Sequence, residues 1–434
     1  MTIALNVQEF INAHPLSNLQ KRTLLLCFLV VVLDGFDTAV TGFLAADIRS
    51  EWGAGPAELT LLLMSGLIGL MLGAFIFGPL SDRYGRKRML LATTTTFGAM
   101  CLLSGFSPSI MVLIILRFLT GLGLGGAMPN AITLCSEFSP DQRRATLVTT
   151  MFCGFTVGMA LAGFIAAAVA PLWGWKSVLV IGGLLPLLLL PFLFAYLPES
   201  ARYLALKGGH DAQVRATLEA IAPGKVDHHA AIAAAKVPPG APAKQLFTSG
   251  LGPGTLLLWT TFLMSLLIIY LVGNWLPLIL TDAGFGKSGA SLVTTGFHIG
   301  GTVGAILIGR FMDRYNENKV LGVGYLLGAV AIAGIALASG QTMLAATVFA
   351  AGFCISGCQV GVNALASGYY PTAARATGVS WANGVGRSGS IIGSLIGGTL
   401  LALGWGGERI FLLLAIPAVF AGLAMFVMGK VRNN

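Results

Sequence analysis

The chain has 434 residues and is strongly apolar, since 56% of its residues are hydrophobic and only 10% are charged. A soluble domain usually carries about 25% charged residues, so this composition excludes an ordinary soluble protein and predicts a chain that lies mostly in lipid. The net charge of +9 calls for no nucleic-acid partner, because basic loops orient a membrane protein in the bilayer.

Twelve apolar runs follow a polar start, and each approaches the roughly 20 residues that a membrane span needs. They predict an all-α membrane protein in two six-helix halves, divided into a cytoplasmic N-terminal segment at 1–22, a first bundle at 23–200, a cytoplasmic linker at 201–253 with a surface helix near 211–221, a second bundle at 254–430 and a cytoplasmic tail at 431–434. The predicted spans are 23–46, 58–79, 89–107, 110–134, 146–170, 177–197, 255–280, 290–311, 320–339, 342–366, 376–402 and 409–429.

The first span contains two acids, Asp34 and Asp37, which share one face of a helix because they are three residues apart. A charged group at the centre of a bilayer costs roughly 2.5–3.5 kcal/mol on insertion scales, so each one needs an explanation. Two carboxylates this close favour each other's protonation, as burial also does. We therefore predict that at least one of them carries a proton during transport. The alternative is a fixed structural ion pair.

A basic turn, Gly78–Arg88, separates the second span from the third. Gly78 is expected to permit close helix packing, and Asp82 stands at a helix end where it can pair with a base or cap a neighbouring helix. Breaking that contact would favour opening towards the cytoplasm. We therefore predict a gate that includes Gly78, Asp82, Arg83 and Gly85, whereas the alternative for the basic residues is topological anchoring alone.

The fourth span contains Arg117 and ends near Glu137. A cation inside a span requires an anionic partner or a functional role, so Arg117 is a candidate for the substrate site. Glu137 precedes a basic loop, and we expect it to pair with Arg143, Arg144 or another cytoplasmic base. Its predicted role is in gating or structure rather than in binding.

The second half contributes Arg387, in a span with no acid nearby in sequence. Because the other spans of this half also lack acids, a substrate carboxylate is its predicted partner, and the alternative is snorkelling or pairing with a helix C-terminus. His298 can bond a ring hydroxyl or take a proton, although a packed core histidine is the alternative. Trp381 and Asn383 are predicted to line the site for an aromatic ring.

Short patterns recur 231 residues apart and predict a duplicated architecture, with the substrate site between the halves near the midplane. Asp313 and Arg314 stand in the second copy of the basic turn, and we predict that they take part in gating. The matched pairs are Gly78–Tyr84 with Gly309–Tyr315, Pro140–Thr146 with Pro371–Thr377, and Pro186 with Pro417.

Basic residues are concentrated in the loops on one predicted face of the membrane. The positive-inside rule therefore places both termini in the cytoplasm. The basic residues in the loops of the opposite face are only Arg49, Lys176, Lys287 and Arg409.

The basic turn Gly78–Arg88, its weaker copy at Gly309–Lys319 and the segment Pro198–Arg202 resemble signature motifs of the major facilitator superfamily. This resemblance implies the facilitator fold and transport by alternating access. Further motifs are similar to those of the aromatic acid:proton symporter family. In related facilitator families an arginine at the place of Arg117 faces an acid on the first helix, which implies Asp34 or Asp37 as its partner. Those motifs are Asp34–Asp37, Arg117–Asn130, Met151–Gly154, Arg375–Trp381 and the N-terminal residues 7–16.

The resemblance implies a proton-coupled symporter of the bacterial inner membrane that imports small aromatic carboxylates for aromatic hydrocarbon catabolism, with 4-hydroxybenzoate or protocatechuate as the first expected cargo. The alternatives are another organic acid (benzoate, 3-hydroxybenzoate, gentisate, vanillate or muconate), a sugar, an anion exporter, or a membrane-bound sensor of aromatic acids. The sequence shows no nucleophile–base set, metal box or nucleotide loop. We therefore expect no enzyme activity, cofactor, metal or nucleic-acid partner, and a monomer.

Overall fold

The computed structural model describes residues 5–226, 230–233, 246–247, 250–370 and 375–433. Long α-helices dominate these residues, and short elements lie at the N-terminus and between the two halves. In chain order the elements are β1 Leu5–Asn6, α1 Val7–Ala13, α2 Asn18–Trp52, α3 Pro56–Tyr84, α4 Arg86–Ser104, α5 Ile110–Glu137, α6 Arg144–Trp173, α7 Trp175–Tyr196, α8 Ala201–Lys207, α9 Asp211–Ile221, β2 Ile232–Ala233, α10 Gly252–Asp282, α11 Lys287–Arg314, α12 Glu317–Ala336, α13 Gln341–Tyr369, α14 Arg375–Ala402 and α15 Gly407–Asn433.

The long helices α2–α7 and α10–α15 occupy the places of the twelve predicted spans. In the described part of the chain, ten of them are long and apolar enough to cross a membrane. The remaining two are α4, which begins with three consecutive basic residues, and α14, which contains Arg387 and several serines. Both pack within the bundle, since Phe97 of α4 and Ser394 of α14 are fully buried. The facilitator architecture predicted from the sequence is therefore confirmed.

Helix packing shows that the two halves are related. A Cβ atom at Gly158 of α6 would collide with the carbonyl oxygen of Val32 of α2, and one at Gly389 of α14 would collide with that of Leu263 of α10. Each residue of the second pair lies 231 positions after its counterpart in the first. The constant separation seen in the sequence motifs is therefore also the separation of equivalent helix contacts, which confirms the duplication.

Close packing of α3 occurs at glycines other than the one expected. Cβ atoms at Gly69 and Gly73 would collide with the carbonyl oxygens of Phe118 and Leu122 of α5. By contrast, a Cβ atom at Gly78 would meet no other atom within 4 Å. The expectation of close packing at Gly78 is therefore wrong in this structure, and its part in gating stays a prediction.

The N-terminal segment docks onto the loop between α5 and α6. Gln8 donates a hydrogen bond to the carbonyl oxygen of Ser139 at 3.3 Å, while Asn12 and Asp141 exchange two bonds of 2.6 and 2.9 Å. Apolar residues of α1, α8 and α9 form one buried cluster with the ends of α5 and α7. The helix predicted near 211–221 is present as α9, whereas the predicted domain boundaries stay predictions.

The halves meet along α2 with α10, α3 with α14, and α6 with α11. At the end of the bundle where α2 finishes, Lys287 of α11 forms an ion pair with Asp47 of α2 at 2.6 Å. Arg49 of α2 forms a second ion pair with Asp282 of α10. These contacts hold the halves together at the end opposite to the basic turn between α3 and α4.

Candidate functional site

A buried ion pair joins the first and fourth long helices. Nη2 of Arg117 on α5 donates to both carboxylate oxygens of Asp37 on α2, at 2.8 and 3.0 Å. The second nitrogen, Nη1, donates to the hydroxyl of Thr41 at 3.3 Å. Both charged side chains are only 3% exposed. Of the two acids left open as partners of Arg117, the structure selects Asp37.

Asp34 lies on the same face of α2, about one turn before Asp37, in a different setting. Its Oδ1 accepts a hydrogen bond of 3.3 Å from the Thr38 hydroxyl, and its Oδ2 is buried without a hydrogen-bond partner. The residue is 1% exposed. Its charge interacts with those of Arg387 and Asp37. Asp34 is therefore a buried acid with one free oxygen.

Arg387 of α14 approaches α2 from the other half of the molecule. Its Nη1 donates a hydrogen bond of 2.9 Å to the hydroxyl of Tyr270 on α10. The sequence offered no acid near Arg387, because the spans of its own half lack acids. Asp34 of the other half lies near enough for its charge to interact with that of Arg387, although no hydrogen bond or ion pair joins these two described side chains.

A small cavity lies beside the Asp37–Arg117 pair. One end of this cavity is polar. Its wall consists of leucines and glycines of α3 and α5, the two helices beside α2. Asn274 of α10 reaches the cavity from the second half, one turn after Tyr270 on the same helix face. The lining residues are Asp37, Thr38, Thr41, Leu62, Leu63, Gly66, Leu67, Leu70, Arg117, Gly121, Leu124 and Asn274.

His298 of α11 lies between the halves but is not among the residues that line this cavity. It is 1% exposed, and its Nε2 is buried without a hydrogen-bond partner. Its ring meets the ring of Phe43 of α2 edge to face, with centroids 6.1 Å apart, and lies against Gly273 of α10.

Trp381 and Asn383 also lie outside the cavity lining. Trp381 is 48% exposed and stacks on Trp259 with ring centroids 5.8 Å apart. Asn383 donates a hydrogen bond of 3.3 Å to the side-chain oxygen of Asn363 on α13. Of the predicted site residues, Asp37 and Arg117 therefore line the cavity. Asp34 and Arg387 do not line it, but the charge of Asp34 interacts with those of Asp37 and Arg387.

A separate charged cluster surrounds the turn between α3 and α4. Oε1 of Glu199 accepts hydrogen bonds from the backbone N–H groups of Arg86 and Lys87, at 2.9 and 3.2 Å. N–H groups in the first turn of a helix have no acceptor within that helix, and a negative charge is favourable there. Glu199 belongs to the Pro198–Arg202 motif, but no role was predicted for it from the sequence, where its position in that motif is the one signal.

Glu137 belongs to the same cluster. Its Oε1 lies 3.6 Å from Nε of Arg86, whose guanidinium group also lies over the ring of Tyr203 at 5.0 Å. Arg86 is one of the further bases that the prediction allowed besides Arg143 and Arg144, and Arg144 forms its ion pair with Asp141 at 2.5 Å. The basic partner of Glu137 therefore comes from the α3–α4 turn.

The other predicted gating residues have unequal surroundings. Gly85 has φ = 106°, a conformation that glycine adopts readily, and it allows the tight turn between α3 and α4. The carbonyl oxygen of Arg83 accepts a hydrogen bond of 2.9 Å from the Tyr203 hydroxyl. The side chain of Asp82 lies outside the described residues. In the second copy Asp313 and Arg314 are exposed.

Comparisons with known proteins agree with this architecture. Residues 27–290 and 258–433 match the Major Facilitator Superfamily. The chain is 46% identical to the 4-hydroxybenzoate transporter PcaK of Pseudomonas aeruginosa, over 99% of this chain and 97% of that protein. It is 44% identical to a gallate transporter of Pseudomonas putida, over 99% of this chain and 96% of that protein.

Solved structures resemble the fold at low sequence identity. The partially occluded, inward-open xylose transporter XylE from E. coli has a TM-score of 0.74 and 18% identity, with 95% of this chain and 98% of that chain covered. A bacterial homologue of the human lysosomal transporter Spinster has a TM-score of 0.73 and 17% identity, with coverage of 95% and 98%.

Proposed function

Because the chain belongs to the major facilitator superfamily, we propose that it is a proton-coupled symporter that imports small aromatic carboxylates, with 4-hydroxybenzoate or protocatechuate as its main cargo. Full-length similarity to transporters of 4-hydroxybenzoate and of gallate supports this class of cargo. The structural observation that carries the proposal is the cavity, which has buried charges at one end and a leucine wall along its side.

In this proposal the substrate carboxylate binds Arg387, and the ring packs against the leucine wall. Arginine matches a carboxylate because its planar guanidinium group can form two parallel hydrogen bonds. The Asp37–Arg117 pair fixes the polar end of the cavity. Contacts of the substrate with His298, Trp381 and Asn383 stay predictions and require a loaded conformation that differs from this one.

Transport then follows from alternating access of the two halves around a central site. We propose that the protein is a monomer of a bacterial inner membrane, with both termini in the cytoplasm. On this assignment the cluster around Glu137 and Glu199 lies on the cytoplasmic side, and the ion pairs Arg49–Asp282 and Asp47–Lys287 close the opposite side. The residues of the basic turn and its copy act as the gate.

Uptake of labelled 4-hydroxybenzoate into proteoliposomes, with and without an inward proton gradient, tests this function. We expect the wild type to accumulate substrate only with the gradient. Arg387→Ala is expected to lose uptake, whereas Arg409→Ala, at an exposed arginine, serves as the matched control and is expected to keep it.

Two results would contradict the proposal in different ways. A folded wild type that takes up no aromatic acid would show that the cargo is wrong. Uptake that is indifferent to the gradient would refute proton coupling while leaving the binding site intact.

A further inference from the structure

The two acids of α2 differ in how their oxygens are engaged. Both oxygens of Asp37 accept hydrogen bonds from Arg117, so protonation of Asp37 would break a buried pair. Breaking such a pair on one side is strongly destabilising, because the remaining charge is left without a partner. Asp34 accepts only from the Thr38 hydroxyl, and its Oδ2 is free. A proton can therefore bind at Oδ2 without displacing any contact.

The charges that face Asp34 come from two helices. Asp37 lies on α2 itself and is paired with Arg117, and Arg387 acts on Asp34 from α14. On the remaining side, α6 presents the backbone of Phe155 to Gly35 of α2. Arg387 is thus the cation that interacts with Asp34 and is not already engaged by another acid among the described residues.

Arg387 is held by an uncharged group. The Tyr270 hydroxyl accepts its Nη1 hydrogen at 2.9 Å, and Tyr270 is buried on α10. This contact fixes the direction of the guanidinium group without cancelling its charge. A carboxylate that arrives at Arg387 therefore meets an oriented cation.

We propose that Asp34, and not Asp37, carries the transported proton, and that its protonation removes the negative charge that competes with the substrate carboxylate for Arg387, which Tyr270 orients. This inference rests on the proposed symport function. A proton from water binds Oδ2 of Asp34, which becomes a neutral acid, and no other bond is made or broken. The substrate carboxylate then replaces Asp34 as the anion that interacts with Arg387.

The charge balance of the site favours this order of events. The empty site contains two buried acids and two arginines, so its formal charges cancel. Substrate binding alone would add one buried negative charge, which is costly within a membrane protein. Substrate and one proton together restore the balance, so binding of either one favours binding of the other.

Proton uptake during substrate binding tests the assignment. Purified protein in weakly buffered solution receives 4-hydroxybenzoate between about pH 6 and pH 8, while an indicator dye reports the protons bound. As the pH rises, we expect the number of protons that the wild type takes up per bound substrate to approach one. Over the same range its affinity for 4-hydroxybenzoate should fall by up to about tenfold per pH unit. Asp34→Asn should take up no proton and bind with an affinity that does not change with pH.

Matched variants separate coupling from folding. Glu51→Gln changes an exposed acid of the same helix and should behave as the wild type, whereas Asp34→Glu keeps a titratable carboxylate and should restore proton uptake. Tyr270→Phe should weaken affinity about tenfold to a hundredfold, the usual effect of one lost hydrogen bond to a charged group, with one proton still taken up per substrate. Tyr325→Phe, at a second buried tyrosine of the same half, should leave affinity unchanged.

Three outcomes would overturn these claims. Proton uptake and pH dependence that persist in Asp34→Asn would refute the role of Asp34 and leave symport itself untouched. An unchanged affinity in Tyr270→Phe would refute the positioning role of Tyr270. A folded wild type that binds no aromatic acid would overturn the proposed function, and this inference with it.

Discussion

The two halves of the molecule pack in the same way but carry different chemistry. Asp37 and Arg117 of the first half correspond, 231 residues later, to Ile268 and Val348 of the second. Both of these apolar side chains are fully buried. One half therefore fills these positions with an ion pair and the other with two apolar side chains of its core. The repeat has preserved the shape of the bundle while the charges at equivalent positions have diverged.

The second half also has a charged residue whose counterpart in the first half is uncharged. Arg387 of the second half corresponds to Thr156 of the first, which bonds to Thr302 of α11 at 2.7 Å. The acids of the site thus come from one half, and the cation proposed to receive the substrate comes from the other. A site divided in this way changes whenever the halves move relative to each other, which is what alternating access requires.

The largest expected effect on stability comes from changing the Asp37–Arg117 pair of the first half, whose counterparts in the second half are apolar. Asp37→Asn leaves Arg117 buried without a carboxylate, and we expect a loss of about 3–5 kcal/mol of stability. The double variant Asp37→Ile with Arg117→Val copies Ile268 and Val348, and it should recover most of that stability but not transport. Thermal unfolding in detergent and proteoliposome uptake provide the two measurements.

Two results for the double variant would contradict this prediction. If the double variant is as unstable as Asp37→Asn, the equivalence of the two positions is wrong. If it also transports, the ion pair is dispensable for function.

A smaller effect should follow from breaking the shared packing. Gly158→Ala and Gly389→Ala each place a Cβ atom against a backbone carbonyl oxygen of the neighbouring helix. We expect both to lose about 1–3 kcal/mol, the usual cost of overpacking, and to lose similar amounts. Gly78→Ala is the control, because its Cβ would meet open space. Thermal unfolding that separates the two variants widely would contradict the equivalence of the halves.

The smallest effect distinguishes the two copies of the basic turn. Glu199 caps the start of α4 from a distant segment, whereas α12 is capped by the adjacent Asn316, which bonds to the Lys319 N–H at 3.1 Å. Glu199→Ala should lower stability by about 1–2 kcal/mol and Asn316→Ala by about 1 kcal/mol or less. Only the first variant should also loosen α8 from α4, which hydrogen exchange of the two helices would detect. Equal exchange in both variants would contradict this difference.

Much of the architecture was predictable because the relevant signals are local. The apolar runs gave the spans, and patterns such as Gly78–Tyr84 with Gly309–Tyr315 gave the duplication. The presence of Asp34, Asp37, Arg117 and Arg387 inside spans was also readable from the sequence alone. Gly78 was misjudged, because a glycine in a helix permits close packing without showing whether a neighbour is there.

The sequence by itself determined which residues lie in the membrane, which of them share a helix face, and that the chain consists of two related halves. Only the tertiary structure decided that Arg117 pairs with Asp37, that Arg387 faces Asp34, and that Glu199 caps α4. The physical reason is that helix periodicity fixes neighbours within a helix, whereas pairing across helices depends on their rotation and depth in the bundle. Asp37 and Arg117 are 80 residues apart in the chain, and only packing brings them into contact.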